Sequence, residues 1–407
     1  MIIRDLDRKG SRISGTICWE VAARESFEAY IQLAEQSEEI EGSHRPSHPF
    51  LVAALLPAMR HGEDRVRVER SSVDPFLLEQ LRSVVALAHT WWGDGTHYQP
   101  LDIEAEVADY TQPKSDRVAA SFLTGGVDSL ATLRSNRLNI PRSHPQSIDK
   151  NILMYGVDIG LGGRSSEEKD TSKQKFQEVK RALAPITKSA GTALIPVYTN
   201  IRNLDDDNDF YTRKWHGSLL AAVAHALSNT IHTAYIGSTF DYANSTTWGS
   251  TPLMDPLFSG SSLRVEHDGA RLSRLEKVRL LSSWPEAIDN VRVCFVNRPG
   301  ELNCGRCEKC IRTKLELAAV GKLDESGAFS ASEISPKLVT EELQILSPFA
   351  AVCYEEAIEP LRKRGRRRVA DALETKLRNY CARRRRVEER DWRGVIKRGL
   401  RYFNLYQ

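Results

Sequence analysis

Apolar and polar positions change period several times along the chain, and the changes mark its elements. Ile13 to Trp19 reads as a strand and Arg65-Val66-Arg67-Val68 alternates like one, whereas Phe50 to Leu56 predicts a buried helix and Leu77 to Leu87 repeats at helical spacing. From Ala119 onward the rhythm becomes regular. Apolar runs at Ala119 to Leu123, Ile152 to Val157, Ala193 to Tyr198 and Ala234 to Ser238 predict four strands, with helical patterns after Val127, over Ser172 to Leu183 and from Lys214 through Leu227 between them. Strand and helix alternating at this spacing predict an α/β fold: a parallel sheet wound in right-handed crossovers, with helices on both faces.

The same pattern divides the chain into three segments. Residues 1–112 read as an N-terminal α/β accessory domain, 113–325 as the α/β domain proper, and 326–407 as a helical, Arg-rich region; Gln112 to Asp116 reads as a linker. In the last segment Glu333 to Leu346 predicts a helix, and Val369, Ala370, Leu373, Leu377 and Tyr380 predict an amphipathic one.

Composition narrows the class. At 407 residues, 41% hydrophobic and 27% charged, the chain has length for two or three domains and an ordinary soluble balance, which excludes a fibre or bulk disorder. No apolar run approaches the roughly 18 residues of a membrane span, and Met1 to Lys9 is charged, so a cytoplasmic protein with no membrane partner is expected. The net charge of +3 is unevenly spread: residues 361–407 carry 17 Lys/Arg against 5 Asp/Glu. Two readings of this tail stay open, the binding of tRNA or DNA phosphates, and docking on the acidic remainder or on a partner.

Candidate chemistry begins where the first regular strand ends. Thr124-Gly125-Gly126-Val127-Asp128-Ser129 joins that strand to a helical pattern. Two glycines leave no Cβ in the way, so successive backbone N–H groups can turn onto an anion at the helix N-terminus. Thr124 and Ser129 would add hydroxyl donors, and Asp128 could hold Mg²⁺ or orient the loop. No Gly-x4-Gly-Lys-Ser/Thr occurs and the dinucleotide spacing is absent, so neither common nucleotide loop is present. A plain Gly-Gly turn is the alternative.

Later loops supply the rest. Asn200 and Arg202 follow the third strand, and His216, near the start of a helix and without a visible partner, reads as structural. Thr239 to Ser262 is long and rich in Ser and Thr; Tyr242 or Trp248 could stack a flat heterocycle, and Asp241 or Asp255 could read its N–H groups, with simple packing of the loop as the alternative.

The second strong signal is Cys294-x9-Cys304-x2-Cys307-x2-Cys310. A Cys-x2-Cys turn presents two thiolates to one ion, Gly305 eases the turn, and Cys294, expected at the end of a strand, completes a tetrahedral set for a closed, structural Zn²⁺, with iron–sulfur ligation as the rival. Cys18, Cys353 and Cys381 stand alone.

Taken together, the loop, the four cysteines and Arg312 shortly after them resemble the 7-cyano-7-deazaguanine synthase (QueC) family of N-type ATP pyrophosphatases, over about residues 117–322. The resemblance implies adenylation of a carboxylate, 7-carboxy-7-deazaguanine in that family, followed by attack of ammonia or another amine and, in the family, dehydration to a nitrile. It implies ATP at Thr124, Gly125, Gly126, Val127, Asp128, Ser129 and Gly156, with Asp128 and Ser129 catalytic and Mg²⁺ present. By the same resemblance Zn²⁺ sits on Cys294, Cys304, Cys307 and Cys310, and Asp241, Tyr242 and Trp248 lie beside the deazapurine. The family's Tyr-Pro-Asp-Cys-Arg stretch is absent, with Trp248-Gly249-Ser250-Thr251-Pro252 in its place, and both flanking segments are additions. Longer proteins of this kind resemble components of bacterial anti-phage operons, which implies a diverged enzyme working in an oligomer or complex, with a protein acceptor or, through the tail, nucleic acid as partner. A tRNA-modifying enzyme on the same loop and a non-catalytic nucleotide-binding subunit are the alternatives.

Overall fold

The computed structural model describes residues 1–33, 45–108, 116–160, 166–298, 300–329 and 333–403, with the backbone alone at 166–169 and 388–403. Most of the expected linker, residues 112–115, lies outside the described residues, as do residues 161–163 after the second regular strand. The chain forms two compact units, one of Met1–Arg292 with Asn297–Leu302, the other of Val293–Val296 with Asn303–Gln407.

The first unit is built on one ten-stranded, mostly parallel sheet. In chain order its elements are β1 (Ile2–Lys9), β2 (Arg12–Cys18), β3 (Phe27–Leu33), α1 (Ser47–Arg60), β4 (Arg65–Val73), α2 (Pro75–Trp92), β5 (Asp102–Val107), β6 (Val118–Phe122), α3 (Val127–Asn139), β7 (Ile148–Tyr155), α4 (Ser166–Ala190) and β8 (Ala193–Thr199). There follow a short α5 (Asn208–Phe210) running into a π-helical turn at Tyr211–Trp215, then α6 (His216–Ala226), β9 (Ile231–Gly237), β10 (Arg264–Asp268), α7 (Arg274–Leu281) and α8 (Pro285–Asn290). The strand order is β10-β9-β6-β7-β8-β3-β2-β1-β4-β5.

Two consequences of that order matter for a site. From β6 the chain steps through α3 to β7 and through α4 to β8, then reverses through α6 to β9 on the far flank of β6; right-handed crossovers therefore set α3 and α4 on one face and α6 on the other. The reversal makes a switch point between β6 and β9, and a crevice opens there beyond the strand ends.

The N-terminal strands belong to this sheet. β3 pairs antiparallel with β8 through Ile31↔Thr199, Gln32↔Tyr198 and Leu33↔Val197, and Asn200 fastens the junction, accepting from Tyr30 N (2.8 Å) and donating to Glu28 O (2.8 Å). Asn200 is thus an anchor, and so is buried Arg202, which donates to the carbonyls of Asp205 and Asp207. The core is continuous from Met1 and Ile3, through the wholly buried Phe50 to Leu56 of α1, to Leu219, Ala222 and Val223 of α6.

The second unit holds α9 (Glu308–Val320), α10 (Pro348–Lys363) and α11 (Arg367–Phe403). Gly321, at φ +79°, ends α9 in the left-handed conformation a side chain would resist. The helix expected over Glu333 to Leu346 shortens to a single π-helical turn at Leu338–Glu342. Val369, Ala370, Leu373 and Leu377 of α11 are buried, as their spacing predicts, and Arg362 pairs with Asp371 (3.0 Å) and Glu374 (2.7 Å), so part of the basic run serves the fold. Arg383 to Arg386 are exposed within α11. Among the described residues no helix is long and apolar enough to cross a membrane.

Candidate functional site

β6 ends at Phe122, and the loop turns at Gly125 with φ +82° before Gly126 caps α3, its carbonyl accepting from Leu130 N (3.0 Å). The hydroxyls knit this turn. Ser129 Oγ donates to Gly126 O (3.0 Å) and Gly126 N donates to Thr124 Oγ1 (3.3 Å), while the Thr124 and Ser129 hydroxyls stand 3.4 Å apart. Arg292 braces the loop from outside: its backbone N–H donates to Gly125 O (2.8 Å) and its guanidinium reaches Thr124 O (3.4 Å).

A cavity of about 190 Å³ opens against the loop at the switch point. That is over ten times the ~10–15 Å³ an ordered water needs, so the space exceeds a single water site. Its lining includes the polar Thr124, Asp128, Ser129, Thr239 and Arg292, the apolar Phe122, Ile152, Leu153, Met154 and Ile236, and Asp158, Tyr211 and His216. Burial, reinforced by Asp158, holds the Tyr211 phenol well above the ordinary tyrosine range, so it stays protonated. Burial pushes the His216 imidazole below its ordinary value, with the charges of Asp255 and Asp158 partly opposing.

Charge at the loop is dominated by residues from α7. A capping box of Ser273 and Glu276 starts this helix, which packs along α3 and points Arg274 and Lys277 at Asp128: Lys277 Nζ lies 3.2 Å from one carboxylate oxygen and Arg274 Nη1 3.3 Å from the other. Lys277 is 1% exposed and also donates to Ser238 O. The pairing orients Asp128 and sets two cations beside the loop. Gly237, at the end of β9, allows the approach, since a Cβ there would stand 3.0 Å from the backbone of Asp128.

The other expected contacts fall elsewhere. Gly156 does not line the cavity; it has φ +96°, and a Cβ on it would stand 1.7 Å from Thr199 O, so glycine here permits contact with β8, while its neighbours Val157, Asp158 and Ile159 do line the space. Of the Thr239 to Ser262 loop only Thr239 reaches the cavity. Asp241 caps a short turn by accepting from Asn244 N and Nδ2 (2.9 Å each), Tyr242 is 68% exposed, and Trp248 packs edge-on to Phe240 and His216. Sequence reasoning passed over Arg274, Lys277, Arg292, Tyr211 and Asp158. Ser273-x-x-Glu276 announces a helix start, but nothing local says which face meets Asp128.

In the second unit Cys294, Cys304, Cys307 and Cys310 bring their sulfurs within 4.8 Å of one another, with Cys304–Cys310 at 3.9 Å and Cys294–Cys307 at 4.0 Å. A tetrahedron with Zn–S bonds near 2.3 Å has edges of about 3.8 Å, so the set fits a metal ion such as zinc. Backbone N–H groups of Val296 (3.3 Å) and Cys304 (3.5 Å) point at Cys294 Sγ, and that of Cys307 (3.4 Å) at Cys304 Sγ, as donors stabilising thiolates. Cys307 caps α9 and Cys310 lies in its first turn, where the helix dipole favours negative charge. Cys294 does not end a strand: residues 291–294 form no ladder, and Val293 N bonds the side chain of Asn303 (2.9 Å) instead.

Comparison of the chain with family models, with curated proteins and with solved structures gives no match.

Proposed function

We propose that the chain is an AMP-forming, ATP-dependent enzyme that adenylates a carboxylate and passes the acyl group to an amine. The observation that carries this reading is a double-glycine loop at a helix N-terminus whose hydroxyls, Thr124 and Ser129, line one cavity together with Arg292, while Arg274 and Lys277 are held against Asp128 of the same lining. Such a loop suits the β and γ phosphates, and the cations would stabilise the charge that develops on departing pyrophosphate. The apolar wall of Ile152, Leu153, Met154 and Ile236 suits a purine. Mg²⁺, supplied with the nucleotide, would add charge neutralisation near Asp128. The resemblance to the 7-cyano-7-deazaguanine synthases makes 7-carboxy-7-deazaguanine the acid of choice, and ammonia or an amine on a protein the acceptor; zinc on the four cysteines is structural in this reading.

A second reading, a nucleotide-binding subunit without turnover, draws on one observation. Asp128 already faces two cations, and a carboxylate held in that way needs no magnesium. Mass spectrometry of products from ATP, Mg²⁺ and 7-carboxy-7-deazaguanine separates the two: AMP with pyrophosphate supports the enzyme, and bound, uncleaved ATP supports the sensor.

A further inference from the structure

His216 is the one imidazole among the described residues that line the cavity, and its setting is unlike that of a packing residue. It opens α6 directly after the π-helical turn Tyr211–Trp215, a local widening that re-aims side chains and that recurs at functional sites. Its ring meets Tyr211 (6.2 Å) and Trp248 (6.5 Å) edge-on, and its Nδ1 is buried without a hydrogen bond among the described residues.

Behind it lies Asp255, wholly buried. Asp255 Oδ2 accepts from Ser250 Oγ (2.7 Å) and pairs with His267 Nδ1 (2.7 Å), whereas the buried Oδ1 makes no hydrogen bond among the described residues. That oxygen presses on the start of α6: a Cβ on Gly217, the residue after His216, would stand 2.8 Å from it. A fixed carboxylate is therefore aimed at the turn that carries His216, where it would favour a positive charge appearing on the ring. The charged and titratable groups around the imidazole are Asp158 from the segment after β7, Tyr211 from the π-helical turn, Asp255, and His267 from β10, with Asp128 and Arg292 also on the cavity lining.

We propose that His216 is the general base of the acyl-transfer step, with Asp255 as the residue that stabilises its protonated form. The inference rests on the adenylation reading and deepens it. The amine nitrogen attacks the acyl carbon of the acyl-adenylate, a C–N bond forms, the C–O bond to AMP breaks with its electron pair leaving on the phosphate, and the proton shed by the nitrogen passes to His216. Burial keeps the imidazole neutral at pH 7 and so able to accept.

The test uses the full chain with ATP, Mg²⁺, 7-carboxy-7-deazaguanine and ammonium chloride. Isotope exchange between pyrophosphate and ATP reads adenylation, and amide formation reads transfer. H216Q is expected to lower amide formation at least ~100-fold more than it lowers exchange. In H216A added imidazole should restore part of the loss, which a structural role would not allow, and D255N should lower kcat for transfer with KM for the acid unchanged. Amide formation within threefold of the parent in H216Q, or exchange lost in step with it, overturns the role of His216. A parent chain that exchanges no pyrophosphate in the presence of the acid overturns the adenylation reading itself, and the base with it.

Discussion

The Asp128 carboxylate stands 3.2 Å from the ammonium of Lys277, a side chain with 1% exposure, so the Gly125-Gly126 loop is fastened to α7 by an ion pair whose cation water scarcely reaches. Removing one partner leaves the other charge stranded. Asp128→Ala is expected to lower AMP formation at least ~100-fold and also to destabilise the fold by about 2 kcal/mol, a figure kept below that of a fully buried pair because Asp128 is itself a quarter exposed. The double variant Asp128→Ala/Lys277→Met should recover most of the stability and none of the activity. Chemical denaturation of the parent and both variants checks this; equal midpoints for parent and single variant would mean the pair contributes nothing.

Two glycines near the cavity should separate folding from binding. Gly156→Ala sets a methyl 1.7 Å from Thr199 O at φ +96° and is expected to cost more than about 3 kcal/mol, or to abolish soluble expression. Gly237→Ala meets the Asp128 backbone at 3.0 Å, a clash that a small retreat of α3 relieves. It should fold and bind ATP about tenfold more weakly, as titration calorimetry would reveal.

For the cysteine cluster the expected result is one zinc per chain by elemental analysis, and Cys307→Ser should lose most of it. Because the ion ties this segment together and the three thiolates left in the variant repel without a cation, the variant should also melt earlier. Iron with visible charge-transfer absorption in the parent would replace zinc by a cluster.

Acid should weaken the fold through a buried histidine pair. His48 and His225 lie ring to ring at 5.6 Å, and burial holds both below the ordinary imidazole range, His225 at about 4. Since the unfolded chain takes up protons near pH 6.5, the stabilisation is complete above that pH and is lost as pH falls toward 4. His225 alone accounts for about 2 kcal/mol by pH 5. Urea midpoints at pH 7.5 and 5.0 should differ in the parent and differ less in His225→Gln; a parent midpoint independent of pH over this range would refute the assignment.

What could be read from the residues alone was whatever is local. The Gly125-Gly126 turn and the Cys-x2-Cys spacing carry their geometry within a few positions, so both are found where expected. The cavity is different in kind. Arg274, Lys277 and Arg292 reach the loop from some 150 residues downstream in sequence, through the packing of α7 on α3 and the chain after α8, and no pattern in Arg274 to Leu281 encodes that meeting. Asp241 is ambiguous for a related reason, because an Asp after a strand is as apt to cap a turn as to face a ligand, and here it accepts from Asn244 N. The strand expected before Cys294 is lost to a side-chain bond from Asn303, which a strand propensity cannot register.

The antiparallel seam between β3 and β8 bears on how this protein can be handled in the laboratory. A fragment started at residue 116 to isolate the half that carries the cavity would lay bare the backbone edge of Val197, Tyr198 and Thr199, which Ile31 to Leu33 now cover. Bare edges of that sort recruit strands from neighbouring molecules. Trimmed versions should therefore precipitate or pair, and tags, fusions and crystallisation surgery belong at the far flank, beyond β5 or β10, where the sheet already ends in charged strands.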